Sequence, residues 1–157
     1  VCGIFGAIQL RSCGSALPAQ EHDWQATRTL RIVNRLRHRG PDDVGLWHSS
    51  DNRVALAHRR LSMNSVNAGQ QPVQNRDGSI IAVVNGEFYG YRKIRDHLAA
   101  IGHLFQSQVD SEIVIHLYRE YGLDFVNHLR GEFSFLLWDV ARQRLVAVRD
   151  RFGIKPL

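Results

Sequence analysis

The sequence predicts an α+β domain in which helices cover antiparallel sheets. Three observations carry that expectation: strand-like segments outnumber helical ones, the helices are grouped between strand pairs, and the strand connections are of hairpin type. At 157 residues the chain has the length of one domain with a real core, and its 44% hydrophobic and 22% charged content is that of a globular protein.

A first strand is expected over Cys2 to Leu10, where Ile4, Ile8 and Leu10 share one parity, ahead of the turn residues Ser12-Cys13-Gly14-Ser15. After Pro18, the spacing of Ala26, Leu30, Val33 and Leu36 predicts a helix. Arg35, Arg37, His38 and Arg39 gather at its C-terminal end, which suits the helix dipole, and Gly40 is its stop. Val44 to His48 and Val54 to His58 flank Ser49-Ser50-Asp51-Asn52 and read as a hairpin. Asn64 to Ser79 is polar and carries no periodic signal. Ile80 to Val84 reads as a buried strand that breaks at a sharp Asn85-Gly86-Glu87 turn. Tyr91, Ile94, Leu98 and Ile101 keep helical spacing as far as Gly102. Another helix is expected from Asp110, as N-cap, through Ile113, Val114, Leu117 and Tyr121 to Gly122. Phe133, Phe135 and Leu137 then alternate before a turn over Asp139 to Arg144 and a return strand Leu145 to Val148.

Composition excludes several classes of function. No apolar run approaches the about 18 residues of a membrane helix, and the N-terminus has neither the basic nor the long apolar region of a secretion signal, so a soluble cytoplasmic protein with no membrane partner is expected. The net charge of +5 invites a nucleic-acid reading, and all but two of the 20 basic residues are arginine. These arginines are dispersed over helix, loop and strand, however, without a basic run or interleaved aromatics, so no nucleic-acid partner is expected. Cys2 and Cys13 are too few for a disulfide framework and lack metal-ligand spacing; no metal is expected.

Four features bear on chemistry, each with a plainer reading beside it. A cysteine at a processed N-terminus has an α-amine with a pKa of about 7.7 to 8.0 beside a thiol near about 8.5, so Cys2 can supply nucleophile and base together, or it can be a small strand hydrophobe. Asn85 and the Gly86 N–H offer two donors to one oxyanion, or form an ordinary Asn-Gly turn. Arg60 suits a substrate carboxylate, or is a solvated loop residue. Asp110 suits an ammonium, or caps a helix. Together they point to one ligand, an α-amino acid with a side-chain amide, and glutamine fits.

Seven blocks occur in this order: Cys2-Gly3-Ile4-Phe5-Gly6, Arg37-His38-Arg39-Gly40-Pro41-Asp42, His58-Arg59-Arg60-Leu61-Ser62, Asn85-Gly86-Glu87-Phe88-Tyr89, Asp110-Ser111-Glu112, Arg130-Gly131-Glu132-Phe133 and Arg149-Asp150-Arg151-Phe152-Gly153-Ile154-Lys155-Pro156-Leu157. Over essentially its whole length the chain resembles the N-terminal class II glutamine amidotransferase domain of glutamine-hydrolysing asparagine synthetases. The resemblance implies an N-terminal nucleophile hydrolase fold, an αββα sandwich of two antiparallel sheets between helical layers. It further implies that Cys2 is the nucleophile forming a glutamyl thioester, that Asn85 and Gly86 form the oxyanion hole, and that Arg60 clamps the substrate carboxylate. Glu87 and Asp110 match residues holding the substrate amino group, and the Leu61 to Asn64 backbone matches a pocket wall.

On the same resemblance, residues 1–157 form an amidotransferase type-2 domain truncated at its C-terminus, with L-glutamine as substrate and no cofactor of its own. A C-terminal synthetase domain of the same chain, using ATP and Mg, is the expected partner, and a homodimer is compatible with the pattern. Three positions depart from it. Val1 precedes Cys2 and reads as a GTG start translated literally and removed in the cell. Gly90 and Val109 replace the more usual Asn and small hydroxyl residue or Gly, and the chain stops at Leu157, before any acceptor site. Two other readings compete: a non-catalytic scaffold of the same fold, and an amidotransferase for an acceptor other than aspartate.

Overall fold

The apolar run Ile80-Ile81-Ala82-Val83-Val84, β-branched at four of its five positions, commits its segment to a strand buried on both faces, and the domain is assembled around that strand. The computed structural model describes residues 2–10, 26–61 and 70–157. Its elements are β1 (Gly3–Ile8), α1 (Ala26–Val33), β2 (Asp43–His48), β3 (Val54–Arg60), β4 (Val73–Gln74), β5 (Ile80–Phe88), α2 (Tyr91–Ala100), α3 (Ile113–Tyr121), β6 (Gly131–Asp139) and β7 (Arg144–Arg149). All described pairings are antiparallel: β1-β3-β2 form one sheet and β4-β5-β6-β7 the other.

Strand parity assigns the layers. Val54 and Leu56 on β3, Ile81 and Val83 on β5, and Trp138 on β6 interlock between the sheets, with Ile4, Ile8, Trp47, Leu136 and Leu145 at the margins. The opposite faces of β5 and β6 bury Ala82, Val84, Phe133, Phe135 and Leu137 under Leu98 of α2 and the apolar side of α3. α1 lies against the outer face of the three-stranded sheet. The order is helix, sheet, sheet, helices, which is the expected αββα sandwich. Among the described residues no helix is long and apolar enough to cross a membrane.

Several expectations change in detail. The α1 helix turns into a 3-10 segment over Asn34–Leu36. β4 falls inside the stretch that carried no periodic signal; it is two residues long, and the side chain of Gln71 extends it. Gln71 Oε1 accepts the Val84 N–H at 2.6 Å and Gln71 Nε2 donates to the Val84 carbonyl at 3.0 Å, completing the β5 edge where backbone pairing has stopped. Asn85-Gly86-Glu87 is not a turn, because β5 stays paired with β6 as far as Phe88 opposite Gly131. Asp110 is not a helix N-cap either: a 3-10 turn over Asp110–Glu112 precedes α3, and the Asp110 carboxylate is spent on another strand. The segments holding Cys13, Pro18 and Ser62 to Asn64 lie outside the described residues, as does Val1.

Candidate functional site

Cys2 directly precedes β1, whose first residue Gly3 pairs with Arg59 near the end of β3. The thiol shares the parity of Ile4 and Ile8 and so belongs to the face between the sheets. It is half-buried and free, 3.5 Å from the Leu61 N–H, which donates to Sγ, and 4.0 Å from the Leu61 carbonyl. Arg39, just beyond α1, donates through Nε to the Cys2 carbonyl at 3.2 Å and holds the chain start in position. Sequence reasoning had given Arg39 no role beyond a basic helix end, and nothing in local spacing signals the contact.

Arg60, half-buried, has the same parity as Val54, Leu56 and His58 on β3 and therefore also faces between the sheets. His58 ties the two sheets together at this end, its Nε2–H donating to the Val84 carbonyl at 3.0 Å. Burial is the main cause that lowers the His58 pKa to about 4, with Arg60 adding to it, so the ring is neutral at ordinary pH.

That bond sets β5 residues 85 to 87 beside the end of β3. Asn85 is buried and on the parity of Ile81 and Val83, toward the three-stranded sheet. Gly86 and Gly131 solve one problem together. Each has φ near the left-handed extreme, +143° and +141°, and each faces the partner strand where a side chain has no room. A Cβ on Gly86 would lie 2.6 Å from Phe133 Cα and closer still to the Glu132 carbonyl; a Cβ on Gly131 would lie 3.1 Å from Phe88 Cα and closer still to the Glu87 carbonyl.

Glu87 is exposed and directly opposite Glu132, whose charge is neutralised by Lys155 at 3.0 Å. Asp110 comes to the same place from the other side of the chain, its Oδ2 accepting the Phe88 N–H at 3.3 Å. Burial, with the Glu87 charge as a further push, raises the Asp110 pKa above its ordinary value. The structure thus gathers Cys2, Arg60, Asn85, Gly86, Glu87 and Asp110 toward one end of the sandwich: a thiol, a cation, a side-chain amide, a glycine backbone and two carboxylates.

Glu112 was missed as a functional candidate. It is buried, and its carboxylate accepts the N–H groups of Gln106 at 2.6 Å and Ser107 at 2.8 Å, together with the Ser107 hydroxyl at 2.6 Å. A charged residue at the head of the otherwise apolar run from Ile113 to Ile115 was the available signal. Among the described residues no group of three or more His, Cys, Asp or Glu is arranged to hold a metal ion.

Two antiparallel sheets packed face to face between helices, with a cysteine leading into the first described strand, are the architecture of the N-terminal nucleophile hydrolase fold in its amidotransferase form. The chain belongs to the glutamine amidotransferase domain family, whose description matches residues 1–157. Among relatives, it is 40% identical over 157 residues to asparagine synthetase [glutamine-hydrolyzing] 2 of Bacillus subtilis, covering all of this chain and 20% of that protein. It is 39% identical over 157 residues to asparagine synthetase [glutamine-hydrolyzing] 1 of Arabidopsis thaliana, again covering all of this chain and 25% of that protein. It is 50% identical over 126 residues to amidase chry2 of Gibberella zeae, covering 80% of this chain and 19% of that protein. The chain therefore spans about a fifth to a quarter of the curated relatives it matches. Its fold is that of the glutamine phosphoribosylpyrophosphate amidotransferase of B. subtilis solved with ADP and GMP, at a TM-score of 0.73 and 17% identity over 98% of this chain and 38% of that one.

Proposed function

We propose that this domain hydrolyses the side-chain amide of glutamine and passes the ammonia to a synthetase region of a longer protein. Arg60 binds the substrate α-carboxylate, and Glu87 and Asp110 bind its α-ammonium. The Cys2 sulfur attacks the amide carbon, and the developing oxyanion is met by the Asn85 carboxamide and the Gly86 N–H. Collapse breaks the C–N bond, the amine leaves as ammonia with the proton taken from the thiol, and a glutamyl thioester remains. Water then attacks the thioester, restoring the thiol and releasing glutamate. The base is the α-amine of Cys2, which requires Val1 to be removed, since an acylated amine accepts no proton and losing a general base lowers the rate by roughly 10² to 10⁴. Residues 1–157 serve in this reading as the amidotransferase domain; ATP and Mg belong to the synthetase region.

The observation that carries the proposal is the free Cys2 thiol within 3.5 Å of the Leu61 N–H, at the end of the sandwich where Arg60 and Asp110 also lie. In the intact protein, glutamine is expected to yield glutamate and ammonia, and Cys2→Ala is expected to abolish this while leaving synthesis from free ammonia. Glutamate release surviving that substitution assigns the chemistry to another nucleophile. The 50% identity to a fungal protein named an amidase favours a second reading in which the acceptor of the ammonia is not aspartate. Assaying ammonia consumption with aspartate as acceptor separates the two.

A further inference from the structure

Asp110 opens the 3-10 turn that leads into α3, and its carboxylate must be fixed to within a fraction of an ångström if it is to meet an ammonium. The fixing comes from Glu112. Its carboxylate, from the first turn of the helical segment, reaches back to the two N–H groups and the hydroxyl of Gln106 and Ser107. Ser107 Oγ in turn accepts the Val109 N–H at 3.4 Å, one residue before Asp110. Behind Glu112, His116 Nε2 lies 3.4 Å from Oε1, so the carboxylate is also held from the side of α3. These hydrogen bonds hold Glu112 down to a pKa of about 2 against the opposing effect of burial, and a fully ionised acceptor is what this many converging donors need.

We infer that Glu112 is a positioning residue for glutamine recognition: it fixes the Gln106–Val109 backbone so that Asp110, anchored on its other side by Phe88, presents its carboxylate to the substrate α-ammonium. This rests on the role of Asp110 proposed above. An amide at position 112 offers one acceptor oxygen in place of two and turns an NH2 toward backbone N–H groups, so the segment loses its anchor without losing side-chain volume.

The test compares glutamine with its desamino analogue glutaramate, which keeps the amide and the carboxylate and lacks the ammonium, using the intact protein. Glu112→Gln is expected to raise KM for glutamine about tenfold with kcat within about twofold, and to leave kcat/KM for glutaramate unchanged. Ser107→Ala, which removes one of the donors to Glu112, is expected to shift KM in the same direction by less, and carries the test if Glu112→Gln does not fold. Equal losses on both amides, or no loss on glutamine, overturn the inference. Asp110→Asn is run alongside: if it keeps the wild-type preference for glutamine over glutaramate, the assignment of Asp110 fails and the inference with it. A wild-type protein that hydrolyses neither amide overturns the function itself.

Discussion

Replacing Gly86 with alanine tests the close approach of the β6 backbone at Glu132 and Phe133 to β5. Two penalties apply. A residue with a Cβ held at φ +143° is strained by about 1 to 3 kcal/mol. The Cβ also meets Phe133 Cα at 2.6 Å where an ordinary contact begins at 3.4 Å, so the strands must part by at least about 0.8 Å at this step. That stretches the neighbouring ladder hydrogen bonds, each contributing about 1 kcal/mol. The expected total is about 4 kcal/mol, a large share of the 5 to 15 kcal/mol, roughly, that stabilises a domain. Gly78→Ala is the control, because Gly78 has φ +66° and nothing within 4 Å of its would-be Cβ; it should cost only about 1 to 2 kcal/mol. Urea unfolding of both variants against wild type measures the difference. Equal destabilisation of the two would refute the argument that the partner strand excludes a side chain at position 86.

Asp110→Asn should raise stability while weakening glutamine binding. A carboxyl raised above 3.8 in the native state binds more protons folded than unfolded between 3.8 and its raised value, so stability falls as pH rises through that window and the deficit stays in full above it. The variant should therefore melt higher than wild type at pH 7 and equally at pH below 3.8; a lower melting point at pH 7 contradicts the desolvation argument. In the wild type, KM for glutamine should rise as pH falls through the raised value, since a neutral carboxyl does not attract an ammonium, and steady-state assays across that range check it. Tyr118→Phe removes a buried hydroxyl that donates to Asp139 Oδ2 at 2.9 Å but leaves that carboxylate bonded to Arg142, so about 1 to 2 kcal/mol should be lost. Thermal unfolding unchanged within error would assign that hydrogen bond no net effect.

What could be read beforehand followed from periodicity. Alternation in β6, the return strand β7, the Ser49 to Asn52 turn and the helical spacing from Tyr91 to Ile101 depend on near neighbours in sequence, and they appear as expected. The misreadings depend on distant partners. Asn85-Gly86 carries the local signature of a turn, and it stays in the ladder because Ser134 and Phe133, far along the chain, pair with it on β6. Asp110 carries the signature of an N-cap, and its carboxylate is drawn off by the Phe88 N–H on another strand. β4 had too few residues for any period, and its completion by the Gln71 side chain has no pattern at all. The proposed site residues rest on resemblance and chemistry; the contacts of Arg39 and Glu112 have no local signal that fixes them, because each acts on backbone brought near only by the fold.

The tie between His58 and Val84 has a bearing on how kinetics of this domain will look. A ring whose pKa is near about 4 keeps one protonation state from mildly acidic to alkaline solution, so the fastening of the two sheets beside Cys2 does not titrate there. The frame is silent in a pH–rate profile. Inflections that appear above about pH 5 then belong to groups other than the His58 fastening.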